Sequence, residues 1–290
     1  MKKLTLAIPV PATGLVLLSI GSAQLGSAIA KSLLAQTSPA GIVLLRVGFA
    51  ALVLFGLWRP RLSHRIYAIR WLLVAFGCAL AVMNLSFYYA IERIPLGIAV
   101  ALEFLGPLGV ALAHSRRWLD GLWVLLAGTG ILLLTPFVGV TLDLLGIGLA
   151  LVAGICWAAY ILLSASIGQA LEGGEGLAWA MAIATLLLLP LGVFTEGAAL
   201  LQPHLMLTGF GVALLSSAIP YSLELAALRG LSVQVFGILL SLEPVAAALA
   251  ALLILNEELS PQAIAAILAI ALAAAGSSYF APRQPHPIDP

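Results

Sequence analysis

Residues 95–113, PLGIAVALEFLGPLGVALA, form a nineteen-residue apolar segment whose single charged residue is Glu103. An α-helix needs about 20 mainly apolar residues to cross the hydrocarbon core of a bilayer. Glu224, Glu243 and Arg46 lie in equally apolar segments. A charged side chain at the bilayer centre costs roughly 2.5–3.5 kcal/mol, so four unpaired charges would cost about 10 kcal/mol or more. We therefore expect these residues to mark a site or path for a polar solute or ion.

The composition assigns the chain to the membrane. Hydrophobic residues make up 62% and charged residues 9% of its 290 residues, and its mean hydropathy is +1.15. Soluble domains carry about 25% charged residues, and a chain so poor in charge cannot cover a water-facing surface. The formal net charge of +1 gives no reason to expect nucleic acid as a partner. Cys78 and Cys156 lie in apolar segments and are expected to pack as small core residues, and no spacing suited to a metal or other cofactor occurs.

Polar, glycine and proline breaks divide the chain into ten apolar stretches. We predict an all-α integral membrane fold of ten transmembrane helices, with ends uncertain by several residues. The predicted spans lie near 11–33, 39–58, 70–91, 95–114, 120–138, 144–166, 176–195, 204–226, 232–255 and 261–281. The apolar run after Lys2 and Lys3 is too long for a signal peptide, so we interpret it as the first span. The proline-rich tail at 282–290 is expected to be disordered.

Lysine and arginine in the loops predict the orientation. If both termini are cytoplasmic, ten basic residues lie inside and two outside. The inner ones are Lys2, Lys3, Arg59, Arg61, Arg65, Arg70, Arg116, Arg117, Arg229 and Arg283, and the outer ones are Lys31 and Arg93. The acidic loop near 166–176 does not alter this prediction, because acidic residues contribute little to orientation.

A shift of 137 positions aligns residues 90–107 with residues 227–244. Ala90 meets Ala227 and Pro107 meets Pro244. Ten spans give two repeats of five, at residues 12–138 and 144–281. Because five is odd, the second repeat must enter the membrane inverted relative to the first. Inverted repeats are typical of secondary transporters, whose sites lie near the midplane between the halves.

Glu103 and Glu243 are the leading candidates for binding a cation. Pro107 lies four residues after Glu103 and has no N–H, so the Glu103 carbonyl loses its helical partner. The same position thus offers a carboxylate and a free carbonyl to an ammonium group. In the repeat alignment Glu243, which precedes Pro244, falls one helical turn from Glu103. The alternative for both acids is an interhelical hydrogen bond that stabilises the bundle.

Two further charged residues have open roles. Glu224 lies nearer the end of its span, where it lines a wet cavity, reaches water or pairs with Arg229. Arg46 either binds a substrate carboxylate in bidentate fashion or forms a structural salt bridge to one of the glutamates.

Smaller polar residues recur at helical spacing. Each group alone is more often packing than a site, but together they indicate a polar centre enclosed by several helices. The groups are Asn84 with Tyr88; Trp157, Tyr160 and Ser164; Gln24, Ser27 and Lys31; and Ser216, Ser217, Pro220, Tyr221 and Glu224. Lys31 is expected to be an interfacial anchor.

Charge counting suggests proton coupling. Three glutamates and one arginine would total −2 if all were ionised, so we expect at least one glutamate to be protonated when no cation is bound. Glu103 and Glu243 are the candidates for this proton.

The histidines lie in loops or at span ends, and no metalloprotease, phosphate-binding or nucleotide-binding motif occurs. The sequence therefore argues against an enzyme. A lipid-handling module is the other class considered.

Five segments resemble the EamA-type branch of the drug/metabolite transporter superfamily. They are PLGIAVALEFLGPL, SRRWLDGLWVLLAGTGI, CWAAYIL, PYSLELAAL and SLEPVAAAL, and the resemblance covers about residues 12–281. Within that branch the chain is similar to bacterial inner-membrane exporters of threonine and homoserine.

The resemblance implies a ten-helix inverted-repeat fold, a central pocket, alternating access and export of small neutral amino acids in exchange for protons. On this interpretation Glu103 and Glu243 bind the ammonium or the proton, Arg46 binds the carboxylate, and Asn84, Tyr88, Trp157, Tyr160, Tyr221 and Glu224 line the pocket. The alternative is another small metabolite, a purine or a drug carried by the same fold.

Overall fold

The computed structural model describes residues 10–33, 36–94, 96–113, 118–134, 143–171, 173–255 and 261–280, and no β-strand occurs in these ranges. Their α-helices are α1 (Ala12–Leu33), α2 (Pro39–Trp58), α3 (His64–Ala68), α4 (Arg70–Arg93), α5 (Leu96–Glu103), α6 (Leu105–Ala113), α7 (Trp118–Leu134), α8 (Leu144–Ala170), α9 (Glu175–Glu196), α10 (Pro203–Ala213), α11 (Ile219–Ala227), α12 (Val233–Leu240), α13 (Glu243–Leu255) and α14 (Pro261–Phe280). A 3₁₀ turn at Gly197–Leu201 precedes α10, and a π turn at Leu214–Ala218 joins α10 to α11.

Within the described ranges, six helical segments are long and apolar enough to cross a bilayer. They are Ala12–Ala30, Pro39–Trp58, Arg70–Arg93, Leu144–Ala170, Glu175–Leu201 and Pro203–Ala227, with shorter apolar helical stretches at Leu119–Gly130, Val235–Ala247 and Ile264–Ala273. Large apolar side chains face outward, among them Leu52, Leu125 and Phe194, whose exposed fractions are 69%, 70% and 90%. Such a surface is suited to lipid rather than water. The prediction of an all-helical integral membrane protein is confirmed for the described residues.

Two predicted spans are broken rather than continuous. The span at 95–114 is interrupted at Phe104, between α5 and α6, and the span at 232–255 is interrupted at Ser241 and Leu242, between α12 and α13. Each break comes shortly before a proline, Pro107 or Pro244. Proline lacks an N–H, and its ring clashes with the carbonyl four residues earlier, which disrupts the helix there.

Pro220 has a comparable effect between α10 and α11. The chain widens into the π turn at Leu214–Ala218, and Pro220 leaves the Ser216 carbonyl without its helical N–H donor. π turns inside helices occur frequently at functional sites. The predicted span at 204–226 is therefore one helical segment with a local distortion at its centre.

The helices pack in pairs around the interior. Helix α4 packs on α8, α2 on α9, α7 on α14, α1 on α11, and α6 on α12. The α5–α6 break lies against α8, where a Cβ on Gly154 would come within 2.7 Å of the Glu103 carbonyl oxygen. Glycine is needed at residue 154 because any side chain would push the break away from α8.

Several predicted features fall outside the described residues. These are the tail at 282–290, Lys2, Lys3, Arg116, Arg117 and Arg283, part of the predicted span at 120–138, and the side chain of Lys31. The orientation that rests on them stays a prediction.

Candidate functional site

A cavity of about 110 Å³ lies between the helices at the level of the two breaks. Its walls come from α1, α2, α4, α5, α8, the π turn, α11 and α13. The residues that line it are Ala23, Gln24, Ser27, Arg46, Met83, Asn84, Phe87, Val100, Glu103, Trp157, Ser216, Pro220, Tyr221, Glu224, Glu243 and Ala247. The space is large enough for several water molecules or a small solute. The four charged residues expected from the sequence thus surround one cavity.

Arg46 is held by hydroxyl and carbonyl oxygens. Its Nε donates to Ser217 Oγ at 2.7 Å, and its Nη2 donates to the Ser216 carbonyl oxygen at 2.6 Å. Its Nη1 lies 3.3 Å from Tyr88 Oη, and its Nη2 lies 3.5 Å from Tyr221 Oη. The Ser216 carbonyl is available because Pro220 cannot bond it. The distorted helix therefore supplies the acceptor that fixes the guanidinium.

The expected alternative of a salt bridge from Arg46 to a glutamate is wrong. Among the described residues, no carboxylate lies within 4.0 Å of the Arg46 nitrogens, although Arg46 is only 9% exposed. The physical reason is that four hydrogen bonds to neutral oxygens already hold the guanidinium against α10–α11 and α4. Its positive charge faces the cavity without a carboxylate beside it.

Glu103 is the last residue of α5 and lines the cavity. It is 9% exposed, and its carboxylate accepts no hydrogen bond from any residue that the structure describes. A buried carboxylate normally has a partner, because leaving one without hydrogen bonds is costly. Among the described residues, none therefore compensates the charge of an ionised Glu103 through a hydrogen bond.

Glu243 begins α13 and enters the same cavity. Its Oε2 accepts a hydrogen bond from Gln24 Nε2 at 3.3 Å, across to α1. Its place in the first turn of α13 puts the carboxylate near the positive end of the helix dipole. Gln24, expected from the polar face of the first span, thus positions Glu243.

Glu224 is 3% exposed and is bonded on both oxygens. Ser19 Oγ donates to its Oε1 at 2.9 Å, and Tyr160 Oη donates to its Oε2 at 2.5 Å. The expected alternative of a pair with Arg229 is wrong, since Arg229 Nη2 instead donates to the carbonyl oxygens of Leu171 and Gly173. Glu224 turns inward between α1 and α8, while Arg229 follows the end of α11.

Two of the expected pocket residues lie one layer behind the cavity wall. Tyr88 and Tyr160 are 3% and 0% exposed, and they contact the cavity through their bonds to Arg46 and Glu224. Asn84 lines the cavity, and its Nδ2 lies 3.4 Å from Tyr221 Oη. Trp157 also lines it and packs edge-on against Phe104 at the α5–α6 break, with ring centroids 4.8 Å apart.

Sequence reasoning missed the part that Ser19 plays. The signal lay in the spacing of Ser19, Ser22 and Gly26, which places small residues on one helical face. Ser22 Oγ donates to the Leu215 carbonyl oxygen at 2.6 Å, and Gly26 packs against Ser216. That face fits α1 closely against the π turn and brings Ser19 to Glu224.

Polar contacts also connect helix ends at one side of the bundle. The backbone N–H of Ser38, at the start of α2, donates to Glu196 Oε1 at the end of α9. Arg93 Nη1 donates to Asp143 Oδ2 at 3.1 Å, between the end of α4 and the start of α8. This bond, together with the backbone N–H groups of Leu145 and Gly146, lowers the pKa of the Asp143 carboxyl.

Comparison with known proteins identifies a matching protein family and relatives that span nearly the whole chain. Residues 144–279 match the model of the EamA-like transporter family. The threonine/homoserine exporter RhtA of Salmonella typhimurium (strain LT2) is 40% identical over 272 residues, which are 93% of this chain and 92% of that protein. The threonine/homoserine exporter RhtA of Escherichia coli (strain K12) is 39% identical over 280 residues, 96% of this chain and 94% of that protein.

A solved crystal structure matches this chain with a TM-score of 0.76 at 18% sequence identity, and the match covers 92% of this chain and 96% of the chain in that crystal structure. At this low identity the match supports the fold alone. The identity of about two residues in five to the RhtA proteins extends over nearly the whole chain. Because this identity extends over nearly the whole chain, and the second half of the chain matches the family model, this integral membrane protein belongs to the EamA-like transporter family.

Proposed function

We propose that this protein is a secondary active transporter that exports small neutral amino acids, of the threonine and homoserine type, across the bacterial inner membrane. The observation that carries the proposal is the cavity in which Glu103, whose carboxylate accepts no hydrogen bond from the residues that the structure describes, shares the walls with the guanidinium of Arg46. The printed function of the RhtA relatives supports the same substrate class. Because those relatives are transporters, we infer that this chain is not an enzyme.

A zwitterionic amino acid carries two opposite charges and no net charge. Its ammonium needs an anionic acceptor, and its carboxylate needs a cationic donor. Glu103 and Arg46 offer one of each, and Glu243 provides a second acid beside them. Neither charge of the substrate would then enter the low-dielectric interior unpaired.

Arg46 retains capacity for a carboxylate. A guanidinium has five N–H donors, and the four bonds described leave one N–H of Nη1 without a partner among the described residues. Two of the four bonds, to Tyr88 and Tyr221, are long at 3.3 and 3.5 Å. A substrate carboxylate that replaced them would gain charge-assisted bonds on the Nη1–Nη2 edge, while Ser216 and Ser217 kept the side chain in place.

The proposed architecture is ten transmembrane helices in two inverted repeats, at residues 12–138 and 144–281. Phe104 and Ser241, which begin the two breaks, are 137 positions apart, the same offset that aligns the repeats. The pairing of α2 with α9 and of α7 with α14 joins each helix to its repeat counterpart. Broken helices at the repeat interface are typical of transporters that open to each side in turn, and we propose such alternating access here.

Export in exchange for protons completes the proposal. The described residues that line the cavity include three acids and one base, so the free protein needs at least one proton on them to avoid a net charge of −2. We propose that both termini lie in the cytoplasm, because this orientation puts ten of the twelve lysine and arginine residues of the loops and tails on the inner side.

The test is counterflow in proteoliposomes preloaded with unlabelled amino acid and supplied with labelled threonine. Glu103→Gln should abolish most of the counterflow, while Glu92→Gln, an acid on the exposed end of α4, should leave it unchanged. A panel containing homoserine, other neutral amino acids, purines and lipophilic cations identifies the solute. Counterflow of a purine or a drug, with no response to any amino acid, would overturn the proposed substrate class.

A further inference from the structure

Glu224 differs from the other two cavity acids because both of its oxygens are occupied. Ser19 donates to Oε1 and Tyr160 donates to Oε2, whereas the described residues give Glu103 no donor and Glu243 one. A carboxylate whose two oxygens already accept hydrogen bonds gains less from a further donor than one with none, so a substrate ammonium favours Glu103 over Glu224. A proton can bind Oε1 while both hydroxyl groups stay in place, because only the Ser19 hydrogen has to turn away.

The Ser19 hydroxyl lies between two acceptors. Its oxygen is 2.9 Å from Glu224 Oε1 and 3.2 Å from the carbonyl oxygen of Pro220. A serine hydroxyl has one hydrogen but can also accept, so it donates to one of these oxygens at a time. Rotation about the Cβ–Oγ bond is enough to change which oxygen receives the hydrogen.

We propose that Glu224 is the carboxyl that carries the exchanged proton, and that Ser19 is its positioning residue. When Glu224 is ionised, Ser19 donates to Oε1. When a proton binds to Oε1, the new O–H donates to Ser19 Oγ, and the Ser19 hydrogen turns to the Pro220 carbonyl. Tyr160 donates to Oε2 in both states. Every polar atom of the cluster is therefore bonded before and after the proton arrives, and release reverses the same steps.

The surroundings of Glu224 explain how its proton is coupled to substrate. The titratable groups around it are Tyr160 on α8, which lies behind the cavity wall, and Tyr221 on α11, Arg46 on α2, Glu103 on α5 and Glu243 on α13, which line the cavity. Helix α1 contributes Ser19, which does not titrate. An ammonium bound at Glu103 favours the ionised form of Glu224, whereas the substrate carboxylate bound at Arg46 opposes it, and exchange requires that the effect of the ammonium is the larger. By thermodynamic reciprocity, a proton on Glu224 weakens binding of the ammonium. Mutual exclusion of proton and substrate is the property that exchange requires.

This inference rests on the proposed function, and Glu224→Gln separates the two. The glutamine amide N–H can donate to Ser19 Oγ, and its carbonyl can accept from Tyr160, so the variant reproduces the protonated arrangement without a titrating group. Because Gln reproduces the protonated arrangement, which disfavours the ammonium, we expect Glu224→Gln to show counterflow in proteoliposomes with a raised half-saturating threonine concentration and to lose stimulation by an imposed pH gradient. Glu224→Asp keeps an ionisable group and should retain stimulation, and Glu92→Gln should behave as wild type in both assays.

The possible results of these assays distinguish failure of this inference from failure of the proposed function. Wild-type protein without counterflow of any amino acid would refute the proposed function itself. Wild-type counterflow with no response to a pH gradient would refute proton exchange and this inference with it. A Glu224→Gln variant that is still driven by the gradient, or whose half-saturating threonine concentration equals that of the wild type, would overturn the role of Glu224 and leave the proposed function standing.

A second measurement does not depend on the glutamine variant. Infrared difference spectra of the wild-type protein should show loss of a protonated carboxyl band when threonine is added. In Ser19→Ala the proton loses its acceptor, so the same band should appear at a shifted frequency. A wild-type protein without the band, or a Ser19→Ala spectrum identical to the wild type, would contradict the proposal.

Discussion

The strongest single prediction concerns Glu103→Gln, which should separate function from stability. No described residue donates to the Glu103 carboxylate, so the amide leaves no internal group without its partner. Thermal unfolding in detergent, followed by tryptophan fluorescence, should therefore stay close to wild type. The expected loss is in the bond to substrate, because a hydrogen bond to a charged group contributes about 1.5–3 kcal/mol.

At about 1.4 kcal/mol for each tenfold change, that loss corresponds to a roughly 10- to 150-fold higher half-saturating threonine concentration. The assay is counterflow over a concentration series in proteoliposomes with matched protein content, and Glu92→Gln is the control. A half-saturating concentration equal to wild type would refute the assignment of Glu103. A large fall in unfolding temperature would show instead that Glu103 has a structural partner.

Three further predictions test other parts of the account. Arg46→Lys keeps the positive charge but loses the planar guanidinium that donates hydrogen bonds to two helices. We therefore expect the free energy of unfolding in detergent to fall by about 1–3 kcal/mol and counterflow to be lost. Unaltered stability would refute the hydrogen bonds described for Arg46. Gly154→Ala should lower the free energy of unfolding by about 1–3 kcal/mol, because the added methyl group overpacks the α5–α6 break. Gly148→Ala on the same helix, with open space around it, should leave the free energy of unfolding unchanged, and equal effects of the two substitutions would contradict the close packing. The bond from Arg93 lowers the pKa of the Asp143 carboxyl. The stability that this carboxylate contributes is therefore present above its usual pKa near 3.8 and is lost as the pH falls through its lower pKa in the folded protein. The stability difference between wild type and Asp143→Asn should thus shrink as the pH is lowered below about 4, and a difference that does not vary with pH would refute the role of the bond.

The sequence was sufficient to predict the clustering of charges. Glu103, Glu243, Glu224 and Arg46 each lie in an apolar segment, and the cost of exposing a charge to lipid directs them to a shared interior. The positions of the two helix breaks also follow from Pro107, Pro244 and the loss of an N–H donor, although the sequence analysis treated each span as continuous.

The partners of those charges could not be predicted in the same way. Arg46 bonds Ser216 and Ser217 rather than a glutamate because the π turn rotates their oxygens toward α2. Glu224 bonds Ser19 because α1 packs closely against α11. Both contacts depend on helix rotation and on separation between segments far apart in the chain, which the periodicity of one segment does not determine.

The central claim is that the cavity recognises both charges of a zwitterion. The most direct measurement is equilibrium binding to the purified protein of labelled threonine in competition with two analogues. One analogue is the amino alcohol that lacks the carboxylate, and the other is the hydroxy acid that lacks the ammonium. We predict that unlabelled threonine displaces the label and that each analogue does so at least about tenfold more weakly, since each lacks one charge-assisted bond. Displacement by either analogue as effectively as by threonine would contradict the account.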